Sequence, residues 1–174
     1  IDEANYFNSS LYDISIEGEF NSGTDRGVSI INNRFGMGFR DANLGSITST
    51  GVRIMRMHSW QAGFPPIVVS KCLFGGINRA VAIHFEEMMP RFLINQNIIG
   101  YEDNGQKPRD ANYGIGILVK NCENAIIGGN GGGLENIIRY QSGGAIVLDA
   151  SRDISVFQNS TYCNSKRAIK INNW

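Results

Sequence analysis

The sequence predicts an all-β solenoid, in which short strands wind about one axis and stack on the strands of the next turn. A small residue followed by two branched apolar residues that flank one variable residue occurs six times, at intervals of 23 to 36 residues. Alternation with a period of two favours strand over helix, and a strand returning at such intervals is typical of a stacked repeat. The six phrases are Gly27-Val28-Ser29-Ile30, Gly51-Val52-Arg53-Ile54, Ala80-Val81-Ala82-Ile83, Gly116-Ile117-Leu118-Val119, Ala145-Ile146-Val147-Leu148 and Ala168-Ile169-Lys170-Ile171.

Each turn is predicted to hold at least two strands and a third, less regular segment. Asp153-Ile154-Ser155-Val156 begins seven residues after Ile146, the first apolar residue of the fifth phrase. It closely repeats Asp13-Ile14-Ser15-Ile16, the first predicted strand. We expect the six phrases to lie side by side in one sheet, and the second strands in another. Further strands are predicted at Ile67-Val68-Val69, Phe92-Leu93-Ile94 and Ile137-Ile138.

A sandwich of hairpins fits the sequence less well. Hairpins would require tight Asn-Gly or Asp-Gly turns every 8 to 12 residues, and such dipeptides are too few here; Asn104-Gly105 lies in a polar loop. The phrases also recur in one direction, and the rest of each turn supplies the long crossover that parallel strands need. Residues 1–12 are predicted to form an irregular lead-in, and residues 13–174 the solenoid.

Composition narrows the function classes. The 16 basic and 16 acidic residues cancel, so no strong field favours nucleic acid or an anionic membrane. No apolar run approaches the 18 residues of a membrane-spanning helix. Three cysteines and two histidines are too scattered for a zinc site, so we predict structural thiols, no metal and no cofactor.

The chain is expected to be part of a longer protein. Solenoids need capping ends, and neither terminus of this sequence offers an amphipathic cap. A signal peptide is not visible either.

The repeated pattern Gly/Ala-Ile-x-Ile, then a small polar residue, then Asn/Asp-Ile-x-Val, resembles the right-handed parallel β-helix of the pectin-lyase-like superfamily over about residues 13–173. Coils of variable length with polar insertions resemble those of bacteriophage tailspikes and capsule depolymerases. This resemblance implies about five to six coils, a homotrimer, a bacterial surface polysaccharide as partner, and a location in the virion tail or outside the cell. The fold carries many activities, and the sequence contains no catalytic motif of the family to transfer.

A candidate site follows from the direction in which side chains point. The two branched apolar residues of each phrase face the core, so the variable residue between them and the residue after the phrase face outward. His84, Lys120, Asp149 and Asn172 then form one polar row on strands about 4.8 Å apart. Ile115 could open its coil instead, which would shift Lys120 along its strand and loosen the row. The ordinary alternative is a solvated face with a Lys120–Asp149 pair, contributing at most about 1 kcal/mol.

A second candidate is the polar stretch 100–113, which is longer than an ordinary loop. Tyr101 and Tyr113 could stack on sugar faces, while Glu102 and Asp110 are alternative acids. The alternative interpretation is a flexible surface excursion.

We predict hydrolysis by two carboxylates, with Asp149 as first choice and Glu86 as second. Hydrolysis needs an acid and a base about 5 to 9.5 Å apart. A polysaccharide lyase is the enzymatic alternative, but its cations would have to gather at the substrate acid, and Arg53, Lys120 and Lys170 are expected to be spread over several coils. A non-enzymatic β-helical adhesin or structural spike is the alternative outside enzymes.

Overall fold

The computed structural model describes residues 6–7, 12–18, 27–35, 50–57, 66–75, 81–89, 91–100 and 114–173. Every regular element in these ranges is a strand, as the sequence predicts. The strands are β1 (Tyr6–Phe7), β2 (Tyr12–Glu17), β3 (Ser29–Ile31), β4 (Arg34–Phe35), β5 (Thr50–Met57), β6 (Ile67–Ser70), β7 (Leu73–Phe74), β8 (Val81–Met88), β9 (Phe92–Asn95), β10 (Ile98–Ile99), β11 (Ile115–Lys120), β12 (Glu123–Gly128), β13 (Ile137–Arg139), β14 (Gly144–Asp149), β15 (Arg152–Phe157), β16 (Ser160–Tyr162) and β17 (Ile169–Asn172).

The strands form three parallel sheets that the chain visits in turn. The first sheet has the order β1-β4-β7-β10-β13-β16, the second β17-β14-β11-β8-β5-β2, and the third β15-β12-β9-β6-β3. Neighbours in a sheet are therefore three strands apart in sequence, and all the pairings are parallel. The predicted parallel all-β architecture is confirmed, and the strand order is compatible with a solenoid.

Two predicted strands lie in sheets other than those expected. The phrase at Val28 was expected beside the other five, but β3 belongs to the third sheet, whereas β2, which holds Ile14, pairs with β5 in the second. Apolar alternation reports which side chains are buried but not which sheet a strand joins, so the two segments could not be told apart. Tyr6–Phe7 and Tyr12 are strand residues within the predicted irregular lead-in.

One phrase is also displaced in register. We expected Val81 opposite Val52 and Ile117, but Ile83 occupies that position on both sides. A shift of two residues leaves every side chain on the same face. The close approach of successive turns selects this register: a Cβ on Gly51 would lie 2.9 Å from the Ala82 carbonyl oxygen, and one on Gly116 2.6 Å from that of Ala145. Small residues therefore stack at this position.

A second marker of register is a positive-φ residue at or near the C-terminal end of the strands of the second sheet. The residue after the last outward side chain has a positive φ in every described turn from β5 onward, and the ladder continues through it; Asn121 N–H, for example, donates to Asp149 O at 2.9 Å. A left-handed conformation costs a non-glycine residue about 1 kcal/mol or more, so aligned bends resist slippage. These residues are Arg56 (58°), Glu87 (55°), Asn121 (52°), Ala150 (46°) and Asn173 (49°).

The core is a column of branched aliphatic and phenylalanine side chains enclosed by the three sheets. Phe35 stacks on Phe74 with ring centroids 4.6 Å apart, and Phe85 on Phe92 at 4.3 Å. On four successive strands of the second sheet, Val52, Ile83, Ile117 and Ile146 are aligned and fully buried. Burial of each such side chain contributes about 1.5 to 3 kcal/mol, so hydrophobic burial supplies most of the stability.

Buried asparagines form hydrogen bonds with backbone N–H and C=O groups where the third sheet meets the first. Asn97 accepts a hydrogen bond from Cys72 N–H at 3.0 Å and donates to Val69 O at 2.9 Å. Asn136 repeats this arrangement one turn later, accepting from Asn97 N–H at 3.1 Å and donating to Ile94 O at 2.8 Å. Because both asparagines are fully buried, water cannot replace these bonds.

Replacing Asn97 by alanine should lower the free energy of unfolding by about 2 to 3 kcal/mol, because it leaves a buried N–H and a buried carbonyl without partners. Urea denaturation followed by circular dichroism would measure the change. Asn130→Ala, at an exposed position, is the matched control and should change stability by no more than about 0.5 kcal/mol. Equal effects of the two substitutions would contradict a structural role for the ladder.

Candidate functional site

The candidate site lies on the outward face of the second sheet, where parallel pairing aligns side chains in two rows. One row, here called the Glu86 row, also contains Met55, Lys120, Asp149 and Asn172. The other lies two residues earlier on each strand and is called the His84 row. Its members are Arg53, His84, Leu118, Val147 and Lys170.

Glu86 is the centre of a charged cluster, defined here as Arg53, His84, Glu86 and Lys120. Lys120 Nζ donates to Glu86 Oε1 at 2.6 Å. Arg53 Nη2 lies 3.7 Å from Glu86 Oε2, and His84 Nε2 lies 3.6 Å from the same oxygen. The Glu86 side chain is only 13% exposed, so partners on three neighbouring strands hold its carboxylate in a sheltered place.

The electrostatics of the cluster favour an ionised Glu86. The hydrogen bond from Lys120 is the largest influence and lowers the pKa of Glu86 below its ordinary value of 4.5; burial opposes this shift, and the Lys120 and Arg53 charges add to it. The same bond raises the pKa of Lys120. At neutral pH the pair is therefore carboxylate and ammonium, and Glu86 is able to accept a proton but not to donate one.

His84 stands apart within the cluster because its Nε2 atom is buried and, within the described part of the chain, has no hydrogen-bond partner. Burial lowers the pKa of His84 below 6.5, and the Arg53 and Lys120 charges act in the same direction against the attraction of Glu86. The imidazole is thus neutral at pH 7. A buried polar atom without a partner is costly in a folded protein, and a bound ligand group could satisfy it.

Asp149 is on the strand beyond Lys120. It faces Lys120 on one side and Asn172 on the other, and its Oδ1 accepts a hydrogen bond from Asn173 Nδ2 at 2.9 Å. Glu86 and Asp149 are therefore two strand spacings apart, or about 9.6 Å. This backbone spacing is close to the upper limit of about 9.5 Å for the separation of two carboxyl groups that cleave a glycosidic bond with inversion.

The structure brings together most, but not all, of the residues predicted for the site. Lys120, Asp149 and Asn172 share one row as predicted, but His84 does not join it; the two-residue shift of β8 puts Glu86 there instead. The roles predicted for these residues are untested and stay predictions. Tyr101, Glu102, Asp110 and Tyr113 lie outside the described residues.

Arg53 and Lys120 lie on different coils, on β5 and β11, as expected, yet both reach the Glu86 carboxylate on the strand between them. The sequence placed Arg53 in an outward row but not in the site. Arg53 comes opposite His84 only when Ile83 is aligned with Val52, a register that apolar alternation does not distinguish from the expected one.

The two buried thiols are part of the hydrophobic core and not of the charged cluster. Burial raises the pKa of Cys72 to about 11 and that of Cys122 to about 12. Their Sγ atoms bond to Ser70 O at 3.2 Å and Lys120 O at 3.1 Å. These two thiols are protonated at neutral pH, which confirms the prediction of structural cysteines at both positions.

Within the described ranges, no three or more His, Cys, Asp or Glu side chains are grouped so that they could hold a metal ion. The same part of the chain offers no helix long and apolar enough to cross a membrane.

Lys120→Met should make stability less dependent on acid pH. Because the pKa of Glu86 is lowered in the folded state, its contribution is fully present above pH 4.5 and is lost as pH falls through the folded pKa. The stability difference between wild type and Lys120→Met should therefore be constant above pH 4.5 and shrink below it, as measured by urea denaturation at a series of pH values. Lys71→Met, at an exposed lysine, should show no such dependence; a pH-independent loss in Lys120→Met would contradict the pairing.

Comparison of the chain with protein-family models, with curated proteins and with solved structures found no match to any of them. No relative therefore contributes a site residue or an activity. The features that bear on function are Glu86, Lys120 and Asp149 on adjacent strands and the Nε2 atom of His84, which has no hydrogen-bond partner among the described residues.

Proposed function

We propose that this chain is the glycan-binding part of a phage tailspike-type receptor-binding protein that binds and hydrolyses a bacterial surface polysaccharide. In this proposal the three sheets wind as a right-handed parallel β-helix of the pectin-lyase-like kind. The protein is a homotrimer and works in the virion tail or outside the cell. The outward face of the second sheet supports an extended ligand, because six strands at about 4.8 Å spacing span roughly 24 Å, more than a small metabolite needs.

The observation that carries hydrolysis is the placement of two carboxylates on either side of Lys120. In an inverting mechanism one carboxyl protonates the leaving oxygen and the other activates a water molecule on the opposite face of the sugar. Glu86 is ionised by its cationic partners, which suits the base. Asp149 then serves as the acid, and Lys120 lies between them, where it can bond a sugar hydroxyl or ring substituent.

Glu86→Gln and Asp149→Asn should each reduce turnover by about 10²- to 10⁴-fold, because each removes a proton-transfer group, while leaving glycan binding within a few-fold of wild type. Release of reducing ends from host capsule or lipopolysaccharide by the full-length protein would measure turnover. Asp153→Asn is the matched control, since Asp153 is exposed on the third sheet, and it should keep wild-type activity. Wild-type turnover in both site variants would remove these residues from the mechanism.

A second candidate chemistry is β-elimination, and His84 is the observation that favours it. Its imidazole is neutral and has an unpartnered buried nitrogen, as a base that takes the proton next to a uronate carboxyl requires. Arg53 and Lys120, both in contact with Glu86, would then neutralise the substrate acid. Elimination leaves an unsaturated uronate, whereas hydrolysis leaves a saturated one.

The products distinguish these chemistries. If hydrolysis operates, His84→Asn should retain oligosaccharide release, and no product should absorb as an unsaturated uronate. Ultraviolet-absorbing products that disappear in His84→Asn would replace hydrolysis by elimination. Glycan binding without any release would favour the non-enzymatic adhesin.

The trimer is proposed from the family resemblance and has its own test. Sedimentation of the full-length protein should give three times the chain mass. A stable monomer would contradict this part of the proposal without affecting the site.

A further inference from the structure

A concave feature lies at the β17 end of the second sheet. Lys166, Arg167, Lys170 and Gly143 line a cavity of about 310 Å³, here called the basic pocket. Lys166 and Arg167 precede β17, Lys170 is within it, and Gly143 directly precedes β14. The pocket is therefore built on the two neighbouring strands β14 and β17.

The cations of the basic pocket have no counter-ion in the described part of the chain. None of the three has a carboxylate oxygen within 4.0 Å there, in contrast to Arg53, Arg56, Lys120 and Arg152, which all do. The nearest acidic side chain on the paired strand, Asp149, faces Asn172 and not Lys170. Like charges gathered in one concavity repel each other, and a bound anion would relieve that repulsion.

The basic pocket is aligned with the charged cluster. Lys170 belongs to the His84 row, separated from His84 by Leu118 and Val147. Three strand spacings, or about 14 Å, thus separate the two cationic regions. The residues between them in this row, Leu118 and Val147, are apolar and carry no competing charge. Cations at both ends of an uncharged stretch suit a polymer that carries anionic groups at intervals.

We propose that Lys166, Arg167 and Lys170 form an anion subsite for a carboxylate, sulfate or phosphate substituent of an acidic polysaccharide that lies across the second sheet. This inference rests on the proposed function and specifies its substrate class as an acidic glycan. A nucleic acid is the other polyanion to consider. The balanced charge of 16 basic and 16 acidic residues and the absence of an aromatic residue from the pocket lining disfavour it, since single strands are held largely by aromatic stacking.

The test compares charged and uncharged polymers that are otherwise alike. Isothermal titration of the full-length protein with dextran sulfate, polygalacturonate and neutral dextran should show binding of at least one charged polymer and none of neutral dextran. Affinity should fall as salt rises, because exposed charges are screened. Lys170→Gln and Arg167→Gln should each weaken binding by about threefold to fivefold, and the combined variant with Lys166→Gln by more than tenfold.

Arg91→Gln is the matched control: it removes one exposed positive charge ahead of a strand of the third sheet and should bind as wild type does. Wild-type affinity in the combined variant would overturn the subsite, as would equal losses in Arg91→Gln. Inorganic phosphate bound as tightly as the polymers, or an oligonucleotide bound more tightly than they are, would overturn the assignment to a glycan. Circular dichroism establishes that each variant is folded; if the combined variant is not, the exposed single site Lys170→Gln decides the result.

The outcomes for the subsite and for the enzymatic proposal are separable. Loss of binding in the pocket variants, with no cleavage of any glycan, would support the subsite and contradict hydrolysis. Cleavage that depends on Glu86 and Asp149, with unchanged binding in the pocket variants, would support hydrolysis and contradict the subsite.

Discussion

The structure depends on one constraint: each strand must satisfy its backbone hydrogen bonds with the strand three elements earlier and three elements later. At about 4.8 Å between strands, little space separates successive turns. Glycine or alanine is needed wherever a side chain would meet the next carbonyl, as at Gly51 and Gly116. Bends must also stack, which explains why residues as different as Arg56, Glu87 and Ala150 share a left-handed conformation. The asparagine ladder extends the same requirement into the buried corner.

The site is a consequence of that stacking. Nothing in the local sequence of Glu86 brings it to Lys120, which is 34 residues away; the aligned bends do. Once Glu87 and Asn121 occupy equivalent bends, the preceding residues must lie side by side. A slip of two residues would put His84 beside Lys120 and separate Glu86 from its cations. Backbone geometry at one edge of the sheet thus determines the charge state of a carboxylate on its face.

The same stacking constraint explains how much of the fold and of the candidate site could be predicted from the sequence. Strand positions and the direction of side chains followed from the period of two, and parallel pairing followed from the return of the phrase in one direction at long intervals. The row of Lys120, Asp149 and Asn172 followed from both. Period two cannot detect a shift of two, and Ala82-Ile83-His84-Phe85 fits the repeated phrase as well as Ala80-Val81-Ala82-Ile83 does. The positive-φ residue that distinguishes the two registers differs from strand to strand, so no single residue type marks it in the sequence. Apolar alternation also cannot show which sheet a strand joins, which is why the Ile14 and Val28 segments lie in sheets other than those expected.

The charge state of the cluster also limits the chemistry available to it. A carboxylate that keeps its negative charge because of Lys120 is a poor proton donor, so the proposed hydrolysis requires an acid outside the cluster, such as Asp149. An anionic substrate changes this balance, because its charge would compete with Glu86 for Lys120 and Arg53. Displacement of the Lys120 ammonium would remove the largest influence that lowers the pKa of Glu86. An acidic glycan bound at the cluster would therefore change the ionisation of Glu86, whereas a neutral glycan would leave the cluster as it is.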